Sequence, residues 1–188
     1  AYCMISMVLT RMVSGFGAEA IATQRVGGQI ESVSWNTADG FGAALNAFIG
    51  QNYGAGKMDR VKKGYRASLI TVGVWGLFIT LLFVCFPEQI SGVFFHEPTA
   101  IATAVGYMII IGYSEAFMSV ELMTVGALSG LGKTHLCSVI SITLTSARIP
   151  LAIFLSGTAL GLLGIWWALT ATSVVKGIVF VMAFYWIT

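Results

Sequence analysis

The chain has 188 residues, of which 57% are hydrophobic and only 10% charged, and its mean hydropathy is +0.86. Soluble domains carry roughly 25% charged residues, so this much apolar surface calls for lipid rather than water as the solvent. The formal net charge of +2 is small and its basic residues are clustered, which argues against a nucleic-acid-binding face.

With about 20 mostly apolar residues taken as one membrane span, six hydrophobic helices are predicted. The first covers 1–13 and ends at Ser14-Gly15-Phe16-Gly17. The chain starts without an initiator Met or a signal-peptide pattern, and both ends are apolar, so the expectation is a fragment of a longer membrane protein whose first helix is truncated. The second helix is placed at 18–49 and the third at 61–86, followed by a loop through Pro98. The fourth runs over 99–131, Gly132-Lys133-Thr134 turns the chain, the fifth covers 135–155 and the sixth 161–187. The apolar runs are continuous rather than alternating, so the fold class is an all-α, polytopic six-helix membrane bundle and not a β-barrel. The cysteines (Cys3, Cys85, Cys137) all lie in apolar runs with no metal spacing and read as small buried hydrophobes.

Residues 50–66 are read as a loop that fixes topology. They hold Lys57, Arg60, Lys62, Lys63 and Arg66, half of the ten Lys and Arg, and no charge follows until Glu88. The segment 87–98 carries Glu88, His96 and Glu97 but no Lys or Arg. Positive residues mark cytoplasmic loops, so 50–66 is expected inside and 87–98 outside, which puts Lys133 inside as well.

The second helix carries the oddest pattern. Gln24, Glu31, Asp39 and Asn46 recur at intervals of seven or eight residues, with Gly28 and Gly42 on the same face and Trp35 one turn from Glu31. Such a stripe must face protein or water rather than lipid. It reads either as the wall of a transport cavity or as packing between helices; carboxylates cost more than packing requires, which favours the cavity.

The fourth helix adds Glu115 and Glu121. Glu121 lies nine residues before Gly130, about 14 Å from that helix end, near mid-membrane. An ionisable group at that depth is a candidate proton or ion carrier, or else a structural partner for Arg148 or Lys176. Six positions separate Glu115 from Glu121, so they do not share a helix face. Arg148 precedes Ile149-Pro150, where proline bends the helix, and reads as structural. Trp166, Trp167, Tyr185 and Trp186 are candidate interface anchors. The stretch Gly126–Thr134 looks like a phosphate-binding loop, but the required Gly is Ala127 and no strand precedes it. No metal set and no acid–base–nucleophile set is present in the sequence, which leaves an embedded enzyme little support.

Gly50-Gln51-Asn52-Tyr53-Gly54-Ala55-Gly56-Lys57, Gly130-Leu131-Gly132-Lys133-Thr134, Arg148-Ile149-Pro150 and Leu160-Gly161-Leu162-Leu163-Gly164-Ile165-Trp166-Trp167-Ala168 together resemble the C-terminal half of a multidrug and toxic compound extrusion (MATE) transporter. The resemblance covers nearly the whole chain. It implies one six-helix lobe of a twelve-helix protein, paired with an N-terminal lobe around a central cavity. It also implies export of a cationic or amphipathic small molecule in exchange for H+ or Na+, with no cofactor. The family's ion site in this half uses carboxylates on its seventh, eighth and tenth helices. Here the first helix carries no acid, Glu31 and Asp39 fall on the eighth-helix equivalent, and Glu115 and Glu121 bracket the tenth-helix position, with Met118 nearest it. The expected ion- and substrate-binding set is therefore Glu121, Glu115, Glu31, Asp39, Gln24 and Trp35. Two alternatives remain at this level: a lipid-linked oligosaccharide flippase, which would need a more basic cavity, and a membrane scaffold whose acidic residues are silent.

Overall fold

The computed structural model describes residues 2–188, with side chains from residue 4 onward. It contains eight helices: α1 Tyr2–Ser14, α2 Ala18–Gly54, α3 Met58–Cys85, α4 Pro87–Phe94, α5 Pro98–Gly130, α6 Thr134–Ser146, α7 Arg148–Ser156 and α8 Leu162–Ile187. Four spans are long and apolar enough to cross a membrane: Met58–Cys85, Pro98–Gly130, Thr134–Ser156 (α6 and α7 together) and Leu162–Ile187. The chain is thus an all-α integral membrane protein. Helix α2, at 37 residues, is about 55 Å long and exceeds a hydrocarbon core of about 30 Å, although its polar stripe keeps it less apolar than the others.

Residues 50–66 are helical for most of their length, contrary to the expected loop. Helix α2 continues to Gly54 and α3 starts at Met58, so only residues 55–57 connect them. Arg60, Lys62, Lys63 and Arg66 therefore sit on the first turns of α3. A run rich in Gly and Lys reads as a loop by composition, yet the lysines and arginines are good helix formers and continue the helix. The turn itself comes from Gly56, with φ of 71°. The Gly56 N–H donates to the Tyr53 carbonyl at 2.9 Å and the Lys57 N–H to Asn52 at 2.8 Å. The same C-terminal cap recurs after α5. Gly132 has φ of 74°, its N–H donates to Ser129 at 2.9 Å, and the Lys133 N–H donates to Leu128 at 2.9 Å. Both are the paired-bond glycine cap that satisfies the last carbonyls of a helix, and this accounts for the repeated Gly-x-Gly-Lys at 54–57 and 130–133.

The segment after Pro87 is also helical rather than a loop. Pro87 opens α4 and Glu88 lies in its first turn, the usual chemistry of a helix start. The bend foreseen at Pro150 appears as a break: α6 ends at Ser146 and α7 starts at Arg148. Pro150 has no N–H to give Ser146, and its ring crowds that carbonyl.

Helix α5 is the centre of the bundle. It runs parallel to α2, since Gly27 meets Tyr107, Gly42 meets Gly126 and Gly50 meets Gly130. It also runs parallel to α8, where the Thr170 hydroxyl donates to the Ile110 carbonyl at 2.8 Å and Gly177 lies against Phe117. Helix α3 runs the other way, with Gly76 against Ala116 and Gly112 against Phe83. Small residues at these crossings let the backbones approach, as helices in lipid require when van der Waals contact drives association. The outer face of α3 shows Ile70, Val74, Leu77 and Leu81, exposed and apolar, as expected against acyl chains.

At the end where α2, α5 and α8 finish, Tyr65 stacks on Phe184 (3.6 Å between ring centroids) and its hydroxyl meets the Thr124 hydroxyl at 3.0 Å. Tyr65→Phe keeps the stack and loses the bond. It is expected to cost about 0.6 kcal/mol, the usual worth of such bonds within a membrane, and a small fall in the thermal unfolding midpoint in detergent would check it. Trp166 differs from the interface role expected of it: it is fully buried, edge-on to Tyr107 at 5.0 Å. Trp186, by contrast, is 85% exposed.

Candidate functional site

The polar stripe of α2 does not coincide with its packing seam. At 100° per residue, the buried positions Ala20, Gly27, Ala38, Leu45 and Ile49 define one face. Gln24, Glu31, Asp39 and Asn46 centre about 70° around from it. Only Glu31 belongs to both. A stripe displaced in this way borders space rather than filling the helix contact, and two cavities lie along it.

The first cavity, of about 300 Å³, is bounded by Gln24, Gly28, Glu31 and Trp35 of α2, Tyr107, Ile111 and Met118 of α5, Thr145 and Arg148 of α6 and α7, and residues of α1 and α8. Glu31 is 3% exposed, and its Oε1 accepts a hydrogen bond from the Tyr107 hydroxyl at 2.5 Å. Gly27 makes this possible, because a Cβ there would collide with the Tyr107 ring. Arg148 is buried, and its guanidinium donates to the Thr172 hydroxyl at 2.9 Å and the Ser173 hydroxyl at 2.8 Å on α8. It pairs with no carboxylate, yet together with Glu115 it is close enough to act electrostatically on Glu31. The Gln24 side-chain oxygen is buried without a partner in this cavity.

Glu115 is fully buried and lines neither this cavity nor the next one along the stripe. Neither carboxyl oxygen makes a well-formed hydrogen bond. The Ser34 hydroxyl and the Trp35 indole N–H, its nearest polar neighbours, are equally unsatisfied. A buried carboxyl whose oxygens are not fully satisfied costs free energy.

The second cavity, of about 230 Å³, is lined by Trp35, Asn36 and Asp39 of α2, Met118, Glu121 and Leu122 of α5, and Lys176 of α8. Glu121 is buried and pairs with the Lys176 ammonium at 2.6 Å. Asp39 is exposed and lies across from that pair. Trp35 and Met118 line both cavities and separate them.

The six residues expected at the site therefore sort into three places. Gln24, Glu31 and Trp35 share the first cavity; Trp35, Asp39 and Glu121 share the second; Glu115 is buried and lines neither. Asn46, the last member of the stripe, is exposed and lines neither. The sequence reading missed Tyr107 altogether. Its spacing would have found it: Tyr107, Ser114 and Glu121 follow at sevens, with Ile111 and Met118 between them, and so mark the α5 face that looks across at the stripe. Glu115 lies about 120° away from Glu121 around the same helix.

Comparisons with known proteins identify the family of the chain. The MatE family model matches residues 1–154. The chain is 31% identical over 152 residues to the probable multidrug resistance protein NorM of Thermotoga maritima, covering 80% of this chain and 33% of that protein. It is 21% identical over 184 residues to multidrug and toxin extrusion protein 1 of Danio rerio, covering 94% of this chain and 31% of that protein. The fold superposes on the Vibrio cholerae MATE transporter VcmN in its bent form with a TM-score of 0.89 at 18% identity, covering 97% of this chain and 42% of that one. The chain thus spans about a third of the length of these curated relatives. With 154 of its residues under the family model and the same helix arrangement in solved relatives, the chain belongs to the MatE family of membrane transporters.

Proposed function

We propose that the chain is the C-terminal six-helix lobe of an ion-coupled exporter that moves cationic or amphipathic small molecules across the cytoplasmic membrane in exchange for H+ or Na+. In this reading it is a transporter lobe and no enzyme, it needs no cofactor beyond the coupling ion, and its partners are the lipid bilayer and an N-terminal lobe that supplies the other wall of the substrate path. The observation that carries the reading is the pair of acid-lined cavities along the α2 stripe, with Glu31 and Glu115 buried in helices packed for lipid. Charge there is expensive and marks ion or substrate pathways. The names of the relatives, multidrug resistance and toxin extrusion proteins, support the substrate class. The basic first turns of α3 and Lys133 lie at one end of the bundle, and the positive-inside rule makes that end cytoplasmic. The first cavity sets Arg148 against Glu31 and the second sets Lys176 against Asp39 and Glu121, which does not suit a flippase for anionic lipid-linked sugars.

Coupling follows from linkage. Ion and substrate favour opposite-facing states, and each can shift the equilibrium only by its differential affinity for the two. The test uses inverted vesicles containing the intact protein, an imposed H+ or Na+ gradient and a fluorescent organic cation. Glu31→Gln is expected to abolish gradient-driven transport, and Asp39→Asn to weaken it severalfold. Wild-type rates in both variants would sink the assignment, and transport by neither gradient in the wild type would sink the antiport reading.

A further inference from the structure

The second cavity has a feature that the coupling reading leaves unused: one of its carboxylates is already occupied by an ammonium group from the protein itself. Lys176 Nζ lies 2.6 Å from Glu121 Oε1, both side chains almost wholly buried. Among the described residues it is the only ion pair. The pairing is held in place by backbone contact. At Gly177 a Cβ would lie 2.7 Å from the Phe117 carbonyl oxygen, so α8 presses against α5 one residue beyond Lys176. Asp39 faces the same space without a basic partner, so with all three groups ionised the cavity keeps an uncompensated negative charge. Trp35 and Met118 close it on the side of the first cavity. An indole ring is the aromatic surface best suited to an organic cation, and a thioether adds a polarisable, adaptable apolar wall.

We propose that Glu121, Asp39 and Asn36 form a second cation site, separate from the Glu31 cavity, that takes a primary alkylammonium group, and that Lys176 occupies it as a tethered ligand. The proposal rests on the transporter reading only for what the site serves; the binding itself stands on this geometry. The side chain of Lys176 shows the chemistry the site accepts, a buried four-carbon stem with its ammonium on a carboxylate. A tethered group acts at an effective concentration in the millimolar range or above, so a free ammonium at micromolar concentration cannot displace it. Removing the tether must therefore strengthen binding of an external ammonium. Leaving it in place makes Asp39 the only carboxylate an incoming cation can reach.

The test measures equilibrium binding of dansylcadaverine, whose primary ammonium on a five-carbon chain copies the lysine side chain, to the intact protein in detergent. Lys176→Met is expected to bind it about tenfold tighter or more, equivalent to removing a competitor worth roughly 1.4 kcal/mol. Adding Glu121→Gln to that variant is expected to reverse the gain, and adding Glu31→Gln is expected to leave it intact. A folded Lys176→Met protein with wild-type affinity overturns the proposal, and so does a gain that vanishes with Glu31→Gln. If Lys176→Met does not fold, Asp39→Asn decides, because its exposed position tolerates the change. Weaker binding than wild type supports the site, and unchanged binding overturns it. None of these readouts involves transport, so failure of ion coupling at Glu31 leaves them unaffected.

Discussion

Gly126→Val is expected to prevent stable assembly of the bundle, giving a protein that aggregates on extraction into detergent or unfolds far below the wild-type midpoint. The reason is the α2–α5 crossing. A Cβ on Gly126 would lie 2.6 Å from the carbonyl carbon of Gly42 and 2.7 Å from its Cα, distances that real Cβ atoms do not adopt. Four residues on, a Cβ on Gly130 would lie 2.6 Å from the Asn46 carbonyl oxygen, and in the reverse direction one on Gly42 would meet the Leu122 carbonyl oxygen at 3.0 Å. All of these neighbours are backbone atoms and cannot swing aside, so the helices must separate. Overpacking a soluble core typically costs about 1–3 kcal/mol, and there side chains can adjust. Here the whole crossing opens, and the Glu31–Tyr107 bond, made between the same two helices, opens with it. Gly73→Ala is the control: it also adds a methyl group to a membrane helix, but nothing lies within 4 Å of the new atom. Thermal unfolding followed by size-exclusion chromatography should leave Gly73→Ala within about 0.5 kcal/mol of wild type. A Gly126→Val protein as stable as Gly73→Ala would show that the crossing is looser than described.

The same crossing shows what sequence can and cannot disclose here. The helices were legible because lipid demands about 20 apolar residues per span and leaves few other solutions. The stripe on α2 was legible because seven- and eight-residue spacings return to one face of a helix. Where charge and glycine dominated, composition misled. Residues 50–66 read as a loop, yet only residues 55–57 leave helical structure, because Arg60 to Arg66 are helix formers and a single glycine cap makes the turn. Helix α4 was missed although Pro87 and Glu88 announce it. The partners of the charges were not legible at all. Lys176 and Arg148 were each possible mates for Glu121, and which one reaches it depends on the register of α8 against α5, fixed by glycines far apart in the chain. The division of the stripe into two cavities depends in the same way on where Trp35 and Met118 meet, a fact of packing rather than of spacing.

Glu115→Leu is expected to make the protein more stable and, on the proposed antiport, to abolish exchange. Glu115 is fully buried, and neither carboxyl oxygen has a well-formed hydrogen bond. Leaving a buried polar group unsatisfied costs about 1–3 kcal/mol, and an apolar residue of similar shape escapes that cost. Part of the gain is offset, because Ser34 and Trp35 lose their nearest acceptor, and a net stabilisation of about 1 kcal/mol is expected. Leucine cannot accept a proton or a cation, so if Glu115 works with Glu31 in loading the coupling ion, exchange should fall about a hundredfold or more, equivalent to roughly 2.7 kcal/mol. Glu115→Gln separates the contributions. It keeps the shape and polarity, so its stability should stay near wild type, while its exchange should be as low as that of the leucine variant. Tyr107→Phe should spare most of the exchange, since it removes only a hydrogen-bond donor to Glu31 and leaves the carboxylate in place. Two measurements in the intact protein, the unfolding midpoint in detergent and gradient-driven flux in inverted vesicles, therefore divide the readings. Higher stability with lost flux identifies a carboxylate kept for function at a cost in stability. Lower stability with retained flux identifies a structural carboxylate whose partners are Ser34 and Trp35, and it would leave coupling to Glu31 without help from Glu115.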